Sequence, residues 1–348
     1  MSVKFRSAFE FTKSINWFPG HMAKGLAQIK TFLPKIDFFI EVRDARAPFS
    51  SINPGFEKLI DKKKRFIVYN KADMIPPESK IVLSETLSKL GEKNFFFTSI
   101  NSHQTLDTIL TSIREHYSAD SGISSKIMSL VVGMPNVGKS SLINALRNVG
   151  TNKGKAVKTG DTPGLTRSVS NYVIISKTPQ ICIYDTPGVM APYIPNPLSS
   201  LKFALTGGIK DKVLDNETLS DFLLYLLNKS NNTEYVSKFQ LESPIDDINY
   251  LLCHVARKSG ALLKGGIPQL DVAARFFLRQ YYMGNIGYIC FDNIEYSDVI
   301  LDLAENEKFG TVSKNQTKKL MTQQKKQIYL EKRKAKLERK RLDKSFKK

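Results

Sequence analysis

Gly133-Met134-Pro135-Asn136-Val137-Gly138-Lys139-Ser140 follows the apolar run Met128 to Val132 and precedes a helical pattern over Lys139 to Asn148. The spacing G-x-x-x-x-G-K-[ST] between a strand and a helix is that of a loop that cradles phosphate. Its glycines let the backbone curl, so that successive N–H groups, those of Val137 and Gly138 included, face an anion together with the helix N-terminus. Lys139 then neutralises β/γ-phosphate oxygens, the Ser140 hydroxyl ligates Mg2+, and Ser141 adds a phosphate contact.

Downstream, Asp185-Thr186-Pro187-Gly188 follows a second apolar run, Gln180 to Tyr184. Alone, this tetrapeptide reads as a turn. Beside a phosphate loop, Asp185 can hold the Mg2+ shell, and Gly188 can bring its N–H close to a γ-phosphate because no side chain blocks it. Between the two motifs, Thr166 is the natural second hydroxyl for Mg2+, which makes Ser140, Thr166 and Asp185 the candidate metal set.

Upstream, Asn70-Lys71-Ala72-Asp73 ends the run Arg65 to Tyr69. A carboxylate at Asp73 can accept from both the ring N–H and the exocyclic amine of guanine, and adenine offers no such pair. Asn70 and Lys71 belong to the same site, and Thr98-Ser99, after the run Asn94 to Thr98, would support the base from its other side. The bound molecule implied is GTP.

Apolar runs at Phe38 to Val42, Arg65 to Tyr69, Asn94 to Thr98, Met128 to Val132, Ser168 to Ile175 and Gln180 to Tyr184 alternate with helical patterns at Glu78 to Leu90, Leu106 to Tyr117 and Lys139 to Asn148. That alternation implies an α/β fold, a mostly parallel six-stranded sheet with helices on both faces. In Ras-like proteins the phosphate loop comes first and Asn-Lys-x-Asp late; here the base motif leads. The order resembles that of circularly permuted P-loop GTPases, with Ser118 to Ser125 as the linker joining formerly separate ends.

Within that class, Trp17-Phe18-Pro19-Gly20-His21-Met22-Ala23-Lys24, Asp44-Ala45-Arg46-Ala47-Pro48 and Leu205-Thr206-Gly207-Gly208-Ile209-Lys210-Asp211 resemble the ribosome-biogenesis GTPase A family and its mitochondrial branch. The resemblance implies a GTPase that binds a maturing large ribosomal subunit through its rRNA and leaves after hydrolysis. It also implies a monomer in the mitochondrial matrix, with a peripheral contact to the inner membrane. The usual catalytic Gln after Asp-x-x-Gly is here Val189, so catalysis must draw on other groups. By resemblance, Asn136 would ligate K+ beside the phosphates and His21 would reach the attacking water. His21 reads equally as a histidine that bonds a backbone carbonyl near a turn.

The chain has 348 residues, 41% of them hydrophobic, enough for a substantial core. No window approaches the roughly 20 apolar residues of a membrane span. Three dispersed cysteines and four histidines offer neither a disulfide framework nor a metal knuckle, which points to a reducing compartment. Of the net +19, Ser313 to Lys348 carries +12. That surplus of one sign favours an RNA-binding arm over a merely solvated charge run.

Residues 1–15 read as a targeting segment or an amphipathic helix resting on the core. The permuted GTPase domain is expected over 16–192, a helical domain over 193–297, with helices at Leu219 to Leu227, Ile248 to Lys258 and Val272 to Tyr282, and a basic tail over 298–348. Two further readings stay open, a nucleotide-gated RNA-binding scaffold with little hydrolysis and a cytosolic or nucleolar permuted GTPase. Arg43, Asp44 and Arg46 are consistent either with pairing among themselves or with contacts to rRNA.

Overall fold

The computed structural model describes residues 5–11, 29–52, 63–118, 126–157, 159, 172–186, 197–209 and 214–302. Its centre is a six-stranded sheet in the order β3-β2-β1-β4-β6-β5. The strands are β1 (Phe38–Asp44), β2 (Lys64–Asn70), β3 (Phe95–Phe97), β4 (Lys126–Gly133), β5 (Val173–Lys177) and β6 (Gln180–Asp185). All neighbours pair in parallel except β5 and β6, a hairpin turned by Thr178-Pro179.

Central strands of a parallel sheet are covered on both faces, so they read as unbroken apolar runs. Phe38, Ile40 and Val42 pack on one face against α2 (His103–Ser118) and α3 (Lys139–Thr151). On the other face, Phe39 joins Leu130 and Val132, while Ile67 and Tyr69 meet Leu83 and Leu87 of α1 (Pro77–Lys89). Glu41 and Arg43 also point to that second face. They are buried and paired at 2.7 Å, and Arg65 reaches the same carboxylate at 3.2 Å.

After the sheet come α4 (Pro197–Leu205), α5 (Asn216–Lys229), α6 (Glu234–Phe239), α7 (Ile248–Ser259) and α8 (Leu270–Tyr282). Local chemistry sets their ends. The Asp247 carboxylate accepts from the first-turn amides of Asn249 and Tyr250, and Gly260 closes α7 in the left-handed conformation. Helix α4, missing from the expected helices, buries Ser200, Leu201, Phe203, Ala204 and Leu205, and so shows no polar stripe to betray its period. Buried side chains of these helices and of the sheet form one continuous cluster within a compact unit running to Val299.

Residues 5–11 are not helical. Arg6 bridges Asp221 at 2.8 Å and Asp246 at 3.0 Å, and the Phe9 ring lies edge-on to Phe222 at 5.0 Å between centroids. Those partners sit on and beside α5, and meeting them holds the segment in a bent, extended course. Phe9→Ala is therefore expected to cost about 1–2 kcal/mol in urea unfolding, since the ring is only partly buried. Glu10→Ala, at an exposed neighbour, should change stability by less than about 0.5 kcal/mol.

Candidate functional site

The five mutually parallel strands all end on one edge of the sheet. That edge gathers Asp44 from β1, Asn70 from β2, Thr98 just past β3, Gly133 from β4 and Asp185 from β6. Ligands of open α/β sheets bind outside such carboxyl ends. Register aligns Asp44 with Asn70 and Val42 with Gly133, so β1 stands between the base motif and the phosphate loop. Neighbouring strands are about 4.8 Å apart, which places β2 and β4 about 10 Å apart, a nucleoside's reach from base to phosphates.

The phosphate loop turns from β4 into α3 through two left-handed residues, Asn136 at φ 60° and Gly138 at φ 94°. Lys139, only 6% exposed, donates from Nζ to the Met134 carbonyl at 2.8 Å. Burial pulls its ammonium down to about 8, partly opposed by Asp185. Ser140 Oγ donates to Asp185 Oδ2 at 2.7 Å. A hydroxyl and a carboxylate side by side, both hard oxygen donors, suit Mg2+. The next residue, Thr186, anchors this strand end by donating to the Val131 carbonyl at 2.6 Å. Ser141, the next residue of α3, is partly exposed.

The base motif is bonded directly to that loop. Asn70 Nδ2 donates to the Val137 carbonyl at 2.9 Å, and Lys71 Nζ donates to the Asn136 carbonyl at 2.9 Å. Lys71 itself is left-handed at φ 60°, a costly conformation for a lysine that aims Ala72-Asp73-Met74 into a short 3-10 turn. Asp73 is exposed at the middle of that turn. Its neighbour Ala72 donates to the Thr98 carbonyl at 3.0 Å, which ties the Thr98-Ser99 segment to the motif, and Thr98 Oγ1 pairs with Thr105 Oγ1 at 2.7 Å. The candidates Asn70, Lys71, Asp73, Thr98, Ser99, Asn136, Val137, Gly138, Lys139, Ser140, Ser141 and Asp185 thus line one edge. His21, Thr166 and Gly188 lie outside the described residues.

The arginines are accounted for. Arg43 pairs with Glu41, and Arg46 makes a two-point pair with Asp44 at 2.9 and 2.8 Å. Both guanidinium groups are at most 3% exposed and so are closed to RNA. Burial alone would raise the Asp44 carboxyl, but Arg46 and Lys71 outweigh it and hold that group well below the usual carboxylate range. Sequence reasoning missed that Asp44 also meets Lys71 Nζ at 3.1 Å, and that Asn136 Nδ2 donates to the Gly207 carbonyl at 3.1 Å. The signal was present in both quoted segments, Asp44 to Pro48 and Leu205 to Asp211, but nothing in spacing says that two segments touch.

A phosphate loop on one parallel strand, a guanine-reading motif earlier in the chain on another, and an acidic strand end bonded to the loop serine define a circularly permuted P-loop GTPase. Known proteins agree. GNP-bound YlqF from T. maritima matches with a TM-score of 0.53 at 24% identity, over 78% of this chain and 99% of that one, so the two share a fold. The family model described as 50S ribosome-binding GTPase matches residues 128–254, from β4 onward. Mitochondrial ribosome-associated GTPase 1 of Xenopus tropicalis is 36% identical over 309 residues, 84% of this chain and 99% of the relative. Ribosome biogenesis GTPase A of Bacillus cereus is 33% identical over 290 residues, 81% of this chain and 94% of the relative. The chain belongs to the mitochondrial ribosome-associated GTPase 1 family and is a GTPase.

Proposed function

We propose that this GTPase is an assembly factor for the large mitochondrial ribosomal subunit, docking on its rRNA in the GTP state and leaving after hydrolysis. The observation that carries the reading is the pair of hydrogen bonds from Asn70 and Lys71 to the carbonyls of Val137 and Asn136. They supply the reason for one nucleotide to be gripped at its base by Asp73 and at its phosphates by Lys139. Two similar proteins carry ribosomes in their names, and the tail from Ser313 has the one-sided charge that phosphate backbones attract. Among the described residues no helix is long and apolar enough to cross a membrane.

GTP hydrolysis needs charge to be neutralised between the β- and γ-phosphates. Lys139 would meet those oxygens, with Ser140 and Asp185 the residues that would hold Mg2+. Held there, Mg2+ would offset the negative charge that develops on the phosphate oxygens. Val189 in place of a water-orienting amide makes slow turnover the expectation for the isolated chain. Asn136, as a K+ ligand, and His21, with the subunit docked, would provide what is missing.

Single-turnover GTP cleavage, with and without large subunits and in K+ against Na+, tests this reading. Acceleration of at least about 10-fold by subunits, larger in K+, is expected, since a supplied positive group can be worth far more. Full-speed turnover by the isolated chain, indifferent to both, would sink it.

A further inference from the structure

Asp44 lies at the end of the central strand β1 and is fully buried. Its Oδ1 accepts from the Arg46 backbone N–H at 3.0 Å and from Arg46 Nε at 2.9 Å. Its Oδ2 accepts from Arg46 Nη2 at 2.8 Å and meets Lys71 Nζ at 3.1 Å. The Lys71 ammonium is therefore held between this carboxylate and the Asn136 carbonyl. The lysine spans the gap between base motif and phosphate loop.

Arg46 faces the other way as well. Its Nη2 reaches the Thr206 carbonyl at 3.3 Å, its own carbonyl accepts from the Phe291 N–H at 2.6 Å, and its guanidinium lies 5.9 Å from the centre of the Phe291 ring. One residue on, Asp292 accepts from the Phe49 and Ser50 N–H groups at 2.9 and 2.8 Å and from Lys202 Nζ at 3.1 Å. The loop leaving β1 is thereby clamped between the end of α4 and the segment after α8. Asn136 closes the circuit by donating to the Gly207 carbonyl, one residue past the group that Arg46 holds. A Cβ at Gly207 would come within 2.6 Å of that amide nitrogen, so the closeness depends on glycine.

We propose that Asp44 and Arg46 are positioning residues for the guanine nucleotide: Asp44 fixes Lys71 over the phosphate loop, and Arg46 couples that grip to the seating of residues 203–209 and 288–292. The proposal rests on the reading that Asp73 and Lys139 hold one guanine nucleotide. An ion pair buried only for stability would hold the loop after β1 in place without affecting nucleotide. A positioning pair makes the loss of nucleotide grip separable from the loss of stability, because Lys71 is partly exposed and can swing into water once Asp44 no longer holds it, whereas Arg46 cannot.

The test uses the full chain and three variants, D44N, R46K and K71A, with a fluorescent GDP. D44N removes the charge and keeps the shape. R46K keeps the charge but loses the two-point geometry. K71A leaves the Asp44–Arg46 pair intact. The expected result is GDP release faster by about 10-fold or more in D44N and K71A, as loss of a charge-assisted bond implies, and by less in R46K. K71A should melt close to the unsubstituted chain, which guards against D44N failing to fold. Hydrogen exchange at 203–209 and 288–292 should slow when GDP is added to the unsubstituted chain and respond less in R46K. The proposal is overturned if K71A and R46K release GDP within about 2-fold of the unsubstituted chain, or if GDP leaves exchange in both segments unchanged. Should the unsubstituted chain fail to prefer GDP over ADP, the one-nucleotide reading itself fails, which is a separate result.

Discussion

Asp73→Asn should lower GTP affinity by about 100-fold or more and raise affinity for xanthosine triphosphate. Guanine presents two donors along one edge, the ring N–H and the exocyclic amine, and a carboxylate accepts both. An amide offers one acceptor and one donor group, so its NH2 meets the guanine amine head-on. Xanthine carries a carbonyl where guanine has that amine, which restores the match. Sites built on such paired bonds discriminate strongly because a mismatch leaves buried polar groups unsatisfied. Asp73 is exposed at the middle of its 3-10 turn, so its replacement should leave stability within about 0.5 kcal/mol and the effect can be assigned to recognition. Equilibrium titration of both nucleotides measures it. Unchanged GTP binding would place the base somewhere other than against this carboxylate.

The parallel sheet was legible because its strands are buried on both faces, and Phe38–Asp44 shows this most clearly: every residue is buried, and four of the seven are apolar or aromatic. Sequence spacing even located the carboxyl ends where the motifs lie, since each motif follows directly on an apolar run. Strand β5 was displaced, expected to stop at Ile175 but continuing to Lys177, because the hairpin turn at Thr178-Pro179 lets Lys177 pair with Gln180. Helix α6, six residues long, is too short for a period to emerge. What the sequence could not express is proximity. Arg43 and Arg46 fitted pairing among themselves and contact with rRNA equally until the fold put Glu41 and Asp44 against them, since nothing local distinguishes a buried arginine pair from a solvated one. The contact between Asn136 and Gly207 joins residues 71 positions apart, and only the packing of α4 reveals it.

Gly138→Ala should abolish measurable nucleotide binding and destabilise the chain by about 2–5 kcal/mol. Two independent costs add. The residue sits at φ 94°, where any side chain is strained by about 1–2 kcal/mol, and a Cβ there would lie 2.2 Å from Asn70 Nδ2. Asn70 must therefore let go of the Val137 carbonyl, leaving a buried amide unsatisfied at about 1–3 kcal/mol. Because the atom in the way belongs to a side chain, the two sites are coupled. Asn70→Ala in the Gly138→Ala background should return part of the lost stability, a non-additivity that a double-mutant cycle in urea would measure. Nucleotide binding should not return, since the double variant still lacks the bond that joins base motif to phosphate loop. Gly154→Ala, where a Cβ would meet nothing within 4 Å, serves as the control and should change neither property. If the two substitutions at 70 and 138 proved strictly additive, the close approach of base motif and phosphate loop would not exist in solution. The permuted order of motifs would then need another spatial explanation.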